Sequence, residues 1–199
     1  GRKKTISLMK KMGLETIYPR KKTSVSNKQN EKFPYLLRNF RITKPNQVWG
    51  TDITYLRLKN GFAYLTVILD WYSRFVVSWK ISNTLQTDFC IESLKEALTK
   101  NIPDIHNSDQ GSQFTSREYL EVLKEKEIQI SMDGRGRCMD NIFTERLWRT
   151  VKQENVYLND YMNINEARSG LNDYFDFYNN KRRHQSLDYK IPREIYTFK

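Results

Sequence analysis

Three carboxylates stand where an acid with only a structural job would be costly. Asp52 falls in the middle of Val48-Trp49-Gly50-Thr51-Asp52-Ile53-Thr54-Tyr55, a run rich in β-branched and aromatic residues. Asp is depleted in strands and expensive to bury unpaired, so a cation is expected beside it. Asp109 follows His106-Asn107-Ser108 directly, and ligand sites in α/β sheets gather at such strand ends. Glu145 lies in Asp140-Asn141-Ile142-Phe143-Thr144-Glu145-Arg146-Leu147-Trp148, a stretch of helical periodicity. Each acid also has a plain reading: Asp52 as a hydrogen-bonded structural acid, Asp109 as a turn residue, Glu145 as an i,i+4 partner of Arg149. Together they say more. Oxygen-only ligands suit Mg²⁺ or Mn²⁺. Two such ions about 4 Å apart activate an attacking oxygen and stabilise a leaving one in phosphodiester displacement.

That chemistry needs the three acids carried to one point by separate elements, and the patterning supplies them. Val48 to Leu58 and Phe62 to Leu69 flank Lys59-Asn60-Gly61, and Asn-Gly between two such runs predicts a hairpin. Arg74 to Ile81, after the Trp71-Tyr72-Ser73 turn, makes a third antiparallel strand. The period then changes. Thr87 is positioned to cap a helix with the stripe Ile91, Leu94, Ala97 and Leu98, and a short strand follows near 104–107. Thr115 and Glu118 read as the capping box of a second helix, and Ile128, Ile130 and Met132 alternate as a strand. A long helix begins near Asp140–Asn141. On it Phe143, Leu147 and Val151 share one side, and Glu145, Arg149 and Lys152 the other. A last helix spans about 165–178, with Ala167, Leu171, Tyr174, Phe175 and Tyr178 apolar. Strands joined through crossover helices pair in parallel. The expected fold is therefore α/β, a five-stranded mixed sheet of three antiparallel strands then two parallel ones, flanked by helices.

Charge narrows the partner. The chain has 199 residues and a formal net charge of +11. Residues 1–48 hold thirteen Lys and Arg against Glu15 and Glu31, residues 49–145 are slightly acidic, and residues 146–199 are mildly basic. A basic arm of this kind suits a polyanion, since each phosphate neutralised releases counterions. The polar stretch Arg20 to Lys32 reads as a linker. The expected organisation is a basic DNA-binding arm and linker at 1–46, a catalytic core at 47–160 and a helical tail at 161–199. No apolar run approaches the roughly 20 residues of a membrane span, and no signal-peptide pattern opens the chain. Cys90 and Cys138 make no disulfide framework, and with only His106 and His184 no metal-finger spacing exists. The chain reads as soluble and intracellular.

Several other residues carry competing readings. Asp70 is a rival metal ligand, against a turn or Arg74-pairing role that fits its position better. Asp140 caps a helix, Glu154 points away from Glu145 on an ideal wheel, His106 is structural, and Cys90 and Cys138 are a packed and a loop residue. Arg135 and Arg137 lie in a Gly-containing loop able to cradle phosphate, without the ending of a nucleotide-binding P-loop. Lys181, Arg182, Arg183 and His184 form a basic cluster that suits phosphate contact or packing of the tail. Trp148 either stacks on a base or shields its helix.

At these residues the chain resembles the catalytic core of bacterial insertion-sequence transposases of the DDE class, in the retroviral-integrase superfamily. The nearest subgroup is the one made by frameshifting between two overlapping reading frames. Thirty-five residues separate Asp109 from Glu145, the family's final spacing, and Lys152 falls seven residues after Glu145, where the family carries a basic residue. Trp49 to Tyr55, Asn107 to Phe114 and Asp140 to Glu154 are similar to the three acid motifs. Tyr178 to Leu187, followed by Pro192, is similar to the C-terminal signature. The resemblance implies an RNase H-like fold and metal-dependent 3′-end cleavage and strand transfer at mobile-element ends, by direct attack of a 3′-hydroxyl. It implies Asp52, Asp109 and Glu145 as ligands of two Mg²⁺ ions with DNA bound (Mn²⁺ substituting), Asp52 being favoured as the bridge. Lys152, Arg149, Arg135, Arg137, Lys181, Arg182, Arg183 and His184 are the expected DNA contacts. DNA is the partner, with homo-oligomers assembled on it and no membrane, in the cytoplasm of a bacterium beside the nucleoid. The segment from Gly1 resembles the end of the helical DNA-binding region that precedes the core in relatives, so a fragment or decayed product is one expectation. A DNA-binding remnant without catalysis and a ribonuclease on the same fold are the alternative functions.

Overall fold

The computed structural model describes residues 1–14, 31–134 and 141–197. Helix α1 (Arg2–Lys11) opens the chain and buries none of its residues. Strands β1 (Val48–Leu58), β2 (Gly61–Asp70) and β3 (Val76–Ser82) form the antiparallel meander. Helix α2 (Asp88–Lys100), strand β4 (Ile105–Ser108), helix α3 (Arg117–Glu125) and strand β5 (Gln129–Met132) follow. Helix α4 (Ile142–Val151) runs through a π-helical turn, Lys152–Val156, into the single turn α5 (Tyr157–Asn159). Helices α6 (Ile164–Asn180) and α7 (Pro192–Thr197) complete the fold. The sheet order is β3-β2-β1-β4-β5, with β1 pairing β4 and β4 pairing β5 in parallel. The expected mixed five-stranded sheet is thus present.

Strand alternation divides the interior in two. Val48, Leu56, Leu58, Leu65, Val67 and Leu69 pack with Leu147, Val151 and Leu171 on the face covered by α4 and α6. Trp49 and Ile68 face the other way, toward Leu94, Ala97, Leu120 and Leu123 of α2 and α3. Buried strands that read as nearly continuous apolar runs have this origin, since both faces of the sheet are covered. The α6 residues Ala167, Leu171, Tyr174, Phe175 and Tyr178 belong to the same apolar cluster as β1 and β2.

Local details depart from the sequence-based expectations. The hairpin turn is Lys59–Asn60, one residue earlier than the Asn-Gly pair, and Gly61 begins β2 at φ +111°, where its missing Cβ matters. Lys59 and Asn60 donate their backbone N–H groups to Tyr161 and Met162 carbonyls, which ties the turn to the α5–α6 connection. Thr87 precedes α2 but its side chain makes no cap bond. The cap of α3 is Ser116, whose hydroxyl accepts from the Tyr119 N–H, while Thr115 donates to the Gly111 carbonyl. The cap therefore falls one residue after the predicted Thr115, with Tyr119 rather than Glu118 at the third helical position. A reciprocal cap occurs unforeseen at α6, where Asn163 accepts from the Asn165 and Glu166 N–H groups and the Glu166 carboxylate accepts from the Met162 N–H, one residue before the N-cap.

The β2–β3 connection depends on one buried acid. Asp70 is fully buried and accepts from the Ser73 N–H, the Ser73 hydroxyl and the Asn46 N–H at 2.8, 2.5 and 2.7 Å. Burial pushes its pKa up, against the pull of those bonds. It closes the turn, which removes it as a rival metal ligand. Replacing Asp70 by Ala orphans three donors and should cost roughly 2–4 kcal/mol in urea unfolding. An unchanged midpoint would show that the turn holds without its acceptor.

Candidate active site

The strand register brings the first two acids level. Gly50 pairs with Asn107 in the parallel β1–β4 ladder, and Asp52 and Asp109 each lie two residues further along their own segments. The third acid arrives on α4, whose first residues dock on β1: the Asn141 amide donates to the Thr51 carbonyl. Thr144, Leu147, Trp148 and Val151 form the buried side of α4, and Glu145, Arg146 and Arg149 are exposed.

Asp52 is the best-held member. The Trp148 indole N–H donates to its Oδ2 at 2.9 Å, and the Ile53 N–H donates to its Oδ1 at 2.7 Å. Desolvation by burial pushes its pKa from 3.8 up to about 6, the two hydrogen bonds pull it down, and the charges of Asp109 and Glu145 add to the upward push. Both other acids thus sit close enough for Asp52 to feel them. Asp109 lies exposed at the strand end and accepts the Gly111 N–H at 2.8 Å, yet the protein around it still raises its pKa by desolvation. A Cβ at Gly111 would stand 2.8 Å from that carboxylate oxygen and would push the Asp109 side chain out of its present position. Behind it, the Asn107 amide donates to Asp133 Oδ1 and the Gln110 amide to the Asp133 carbonyl, fixing the loop after β4 to the end of β5.

Among the described residues, no three His, Cys, Asp or Glu side chains form a ready metal cage. The all-oxygen donor set nonetheless suits a hard divalent cation, and Asp52, desolvated between two like charges, is the group a cation would relieve.

The expected DNA contacts fare differently. Lys152 is half-buried at the start of the π turn and near enough to Asp52 to feel its charge, while burial lowers its pKa. Arg149 and Lys181 are exposed, and Arg183 donates to the Tyr189 carbonyl. Arg135 and Arg137, with Asp140 and Cys138, lie outside the described residues. Arg182 forms a two-point ion pair with Glu154, Nε to Oε2 at 2.8 Å and Nη2 to Oε1 at 2.5 Å, and Tyr174 donates to the same carboxylate. His184 packs edge-on against Tyr178, and burial beside Arg182 lowers its pKa to about 4, so its ring is neutral at pH 7. His106, also buried, bonds the Tyr119 hydroxyl and falls to about 3. The Cys90 thiol is pushed up to about 12 by burial, which removes it from nucleophilic chemistry.

Sequence reasoning missed two features. Trp148 neither stacks outward nor merely shields its helix; its N–H is spent on Asp52, and its i+3 spacing from Glu145 was the available signal. Glu154, set aside from the acid cluster, anchors the tail through Arg182. The π turn between them defeats the fixed 100° wheel.

Comparison with known proteins is consistent across sequence and fold. The Integrase core domain family matches residues 42–138, and a second Integrase core domain family matches residues 126–192. The transposase for insertion sequence element IS904 of Lactococcus lactis subsp. lactis is 35% identical over 183 residues, covering 89% of this chain and 70% of the relative. The putative transposase InsK for IS150 of Escherichia coli is 34% identical over 150 residues, covering 74% of this chain and 53% of the relative. The chain thus spans about half to 70% of these two proteins. The HTLV-2 integrase catalytic core domain, solved with magnesium in a dimeric form, superposes with a TM-score of 0.63 at 22% identity, over 78% of this chain and 99% of that one. At that identity the likeness speaks for the fold, which is RNase H-like. Motif order, sheet topology and these relatives converge: the chain belongs to the insertion-sequence transposases and carries their integrase-like catalytic region.

Proposed function

We propose that Asp52, Asp109 and Glu145 form a DDE-type centre that cleaves phosphodiesters at the ends of a mobile element and joins them to target DNA, with Mg²⁺ (Mn²⁺ substituting) as cofactor. The observation that carries this reading is the position of Asp52, at mid-strand and within the fields of both other acids. When bound, two divalent ions would supply activation of the attacking oxygen and stabilisation of the leaving one. Asp52 would serve as the shared ligand, because its two hydrogen bonds fix the carboxylate while each oxygen keeps a lone pair for a cation. Asp109 would contribute from the strand end and Glu145 from α4. The magnesium of the HTLV-2 core supports the choice of ion.

Lys152 would neutralise a phosphate beside the acids, and Arg149, Lys181 and Arg183 would extend a basic surface for the duplex, with Arg135 and Arg137 kept as DNA contacts on the sequence alone. Arg182 and His184 act from within, holding the tail against the π turn. The exposed basic helix α1 adds non-specific DNA attraction. Assembly as a homo-oligomer on DNA and a place in the bacterial cytoplasm beside the nucleoid accompany this reading. Among the described residues, no helix is long and apolar enough to cross a membrane.

Asp52→Asn, Asp109→Asn and Glu145→Gln should each lower Mg²⁺-dependent nicking of element-end DNA by about 10³-fold or more, since several kcal/mol of charge stabilisation is lost. DNA binding should persist with its salt dependence intact. Full nicking by Asp52→Asn would overturn the triad, and wild-type binding without any nicking would favour a DNA-binding remnant.

The hold on Asp52 has a pH signature. An acid whose folded-state pKa is raised from 3.8 to about 6 keeps its proton longer in the folded state. Its contribution to stability is therefore full below pH 4 and lost as pH rises through about 6, a difference of about 3 kcal/mol. Trp148→Phe removes a bond that favours the ionised form, so it should move the Asp52 pKa above about 6 and displace that loss to higher pH. Carboxyl-carbon NMR titration of the metal-free protein reads the value directly. A pKa unmoved by the substitution would mean the indole does not stabilise the carboxylate.

A further inference from the structure

We propose that the cleft between residues 35–42, the Trp71–Ser73 turn and the start of α4 is a binding site for one unpaired nucleotide of a DNA strand. The cavity holds about 440 Å³, within the roughly 300–1,000 Å³ of small-molecule sites. Its walls combine the rings of Tyr35, Phe40, Tyr72 and Phe143 with the guanidinium groups of Arg41 and Arg74, and no Asp or Glu lines it.

Arg74 shows what is missing. It sits at φ +62° in the β2–β3 turn, a conformation unusual for a residue with a Cβ, and its guanidinium lies 3.6 Å over the Phe143 ring. It makes no ion pair among the described residues, and its Nη1 is buried with no hydrogen-bond partner. The nearby acid, Asp70, already spends both oxygens on Ser73 and Asn46. Asp70 therefore reaches Arg74 only through its field, and the unpartnered N–H donor of a buried guanidinium suits an anionic oxygen. Arg41, exposed and without an ion pair among the described residues, stands on the same cleft.

The rings specify more than an anion. Phe40 and Tyr72 are exposed at 39% and 36%, leaving ring surface for a stacking partner. A nucleotide offers a flat base and a phosphate together, and stacking on aromatic side chains tolerates any base. The nucleotide must be unpaired, because a base within a duplex has both faces covered. Phe143 and Glu145 lie two residues apart on α4 but on different sides of it, so the cleft adjoins the acid-bearing helix, and that the occupant belongs to a DNA strand follows from the proposed function. A strand end frayed or overhanging at the site has that form. The inference takes the identity of its ligand from the strand-cleaving function proposed above, but its test does not require cleavage.

The experiment uses the full chain in EDTA with two duplexes, one blunt and one carrying a three-nucleotide overhang with 2-aminopurine. The wild type should quench the 2-aminopurine and bind the overhang duplex roughly tenfold more tightly than the blunt one. Phe40→Ala/Tyr72→Ala should abolish both effects, and Arg41→Ala should weaken the preference, with blunt-duplex affinity unchanged by the aromatic pair. A wild type with no preference, or a double variant that keeps it, overturns the site. Equal affinity for free 2-aminopurine deoxynucleoside monophosphate would make this a mononucleotide pocket and overturn the strand assignment. Nicking of the blunt duplex with Mg²⁺, scored separately, tests the proposed activity, so either idea can fail while the other stands.

Discussion

The hydrogen bond from the Trp148 indole to Asp52 joins the sheet to the helix that carries the third acid, across 96 residues of chain. Strand alternation sends the Asp52 side chain to the face covered by α4, and the buried stripe of α4 brings Trp148 down onto it. The same contact sets the rotation of α4 about its own axis. With Trp148, Leu147 and Val151 inside, Glu145 emerges on the exposed side near enough to be felt by Asp52. Three negative side chains on separate elements repel one another. The fold keeps them near by packing apolar residues beneath them and by giving the innermost acid two donors.

A second tier of contacts keeps the strand ends still. Asp70 gathers the β2–β3 turn and the Asn46 N–H before β1, while Asn107 and Gln110 tie the loop carrying Asp109 to Asp133. Trp71 packs against Gly50, where a Cβ would meet its Nε1 at 2.1 Å, so β1 can approach the turn only because that residue is Gly. The Asp70 and Asp133 side chains are buried and hydrogen-bonded, which fixes positions more sharply than apolar packing alone.

Much of this was legible in the chain itself, for identifiable reasons. The β1–β2 hairpin and the alternation of helices and strands follow from periodicities of 2 and 3.6, and the resulting topology carries Asp52, Asp109 and Glu145 toward one end of the sheet. The details that escaped were those in which one polar group chooses among near-equal partners. Ser116 rather than Thr115 caps α3 because Thr115 is taken by the Gly111 carbonyl. Arg182 looked like a phosphate ligand in a basic run, but Glu154, 28 residues earlier, reaches it first. No local pattern marks a long-range pairing of this kind. The wheel that discounted Glu154 assumed a regular helix through Lys152.

The widened turn at Lys152–Val156 makes the helix intolerant of changes in length. Ordinary i→i+4 bonding could be regained by deleting one residue, yet everything beyond would swing by about 100°. Glu154 would then part from Arg182 and Tyr174, and Asn155 from the hydroxyl of Tyr161. Side chains here can be exchanged singly, whereas the count of residues between the third acid and the tail is set by the geometry of the whole back face.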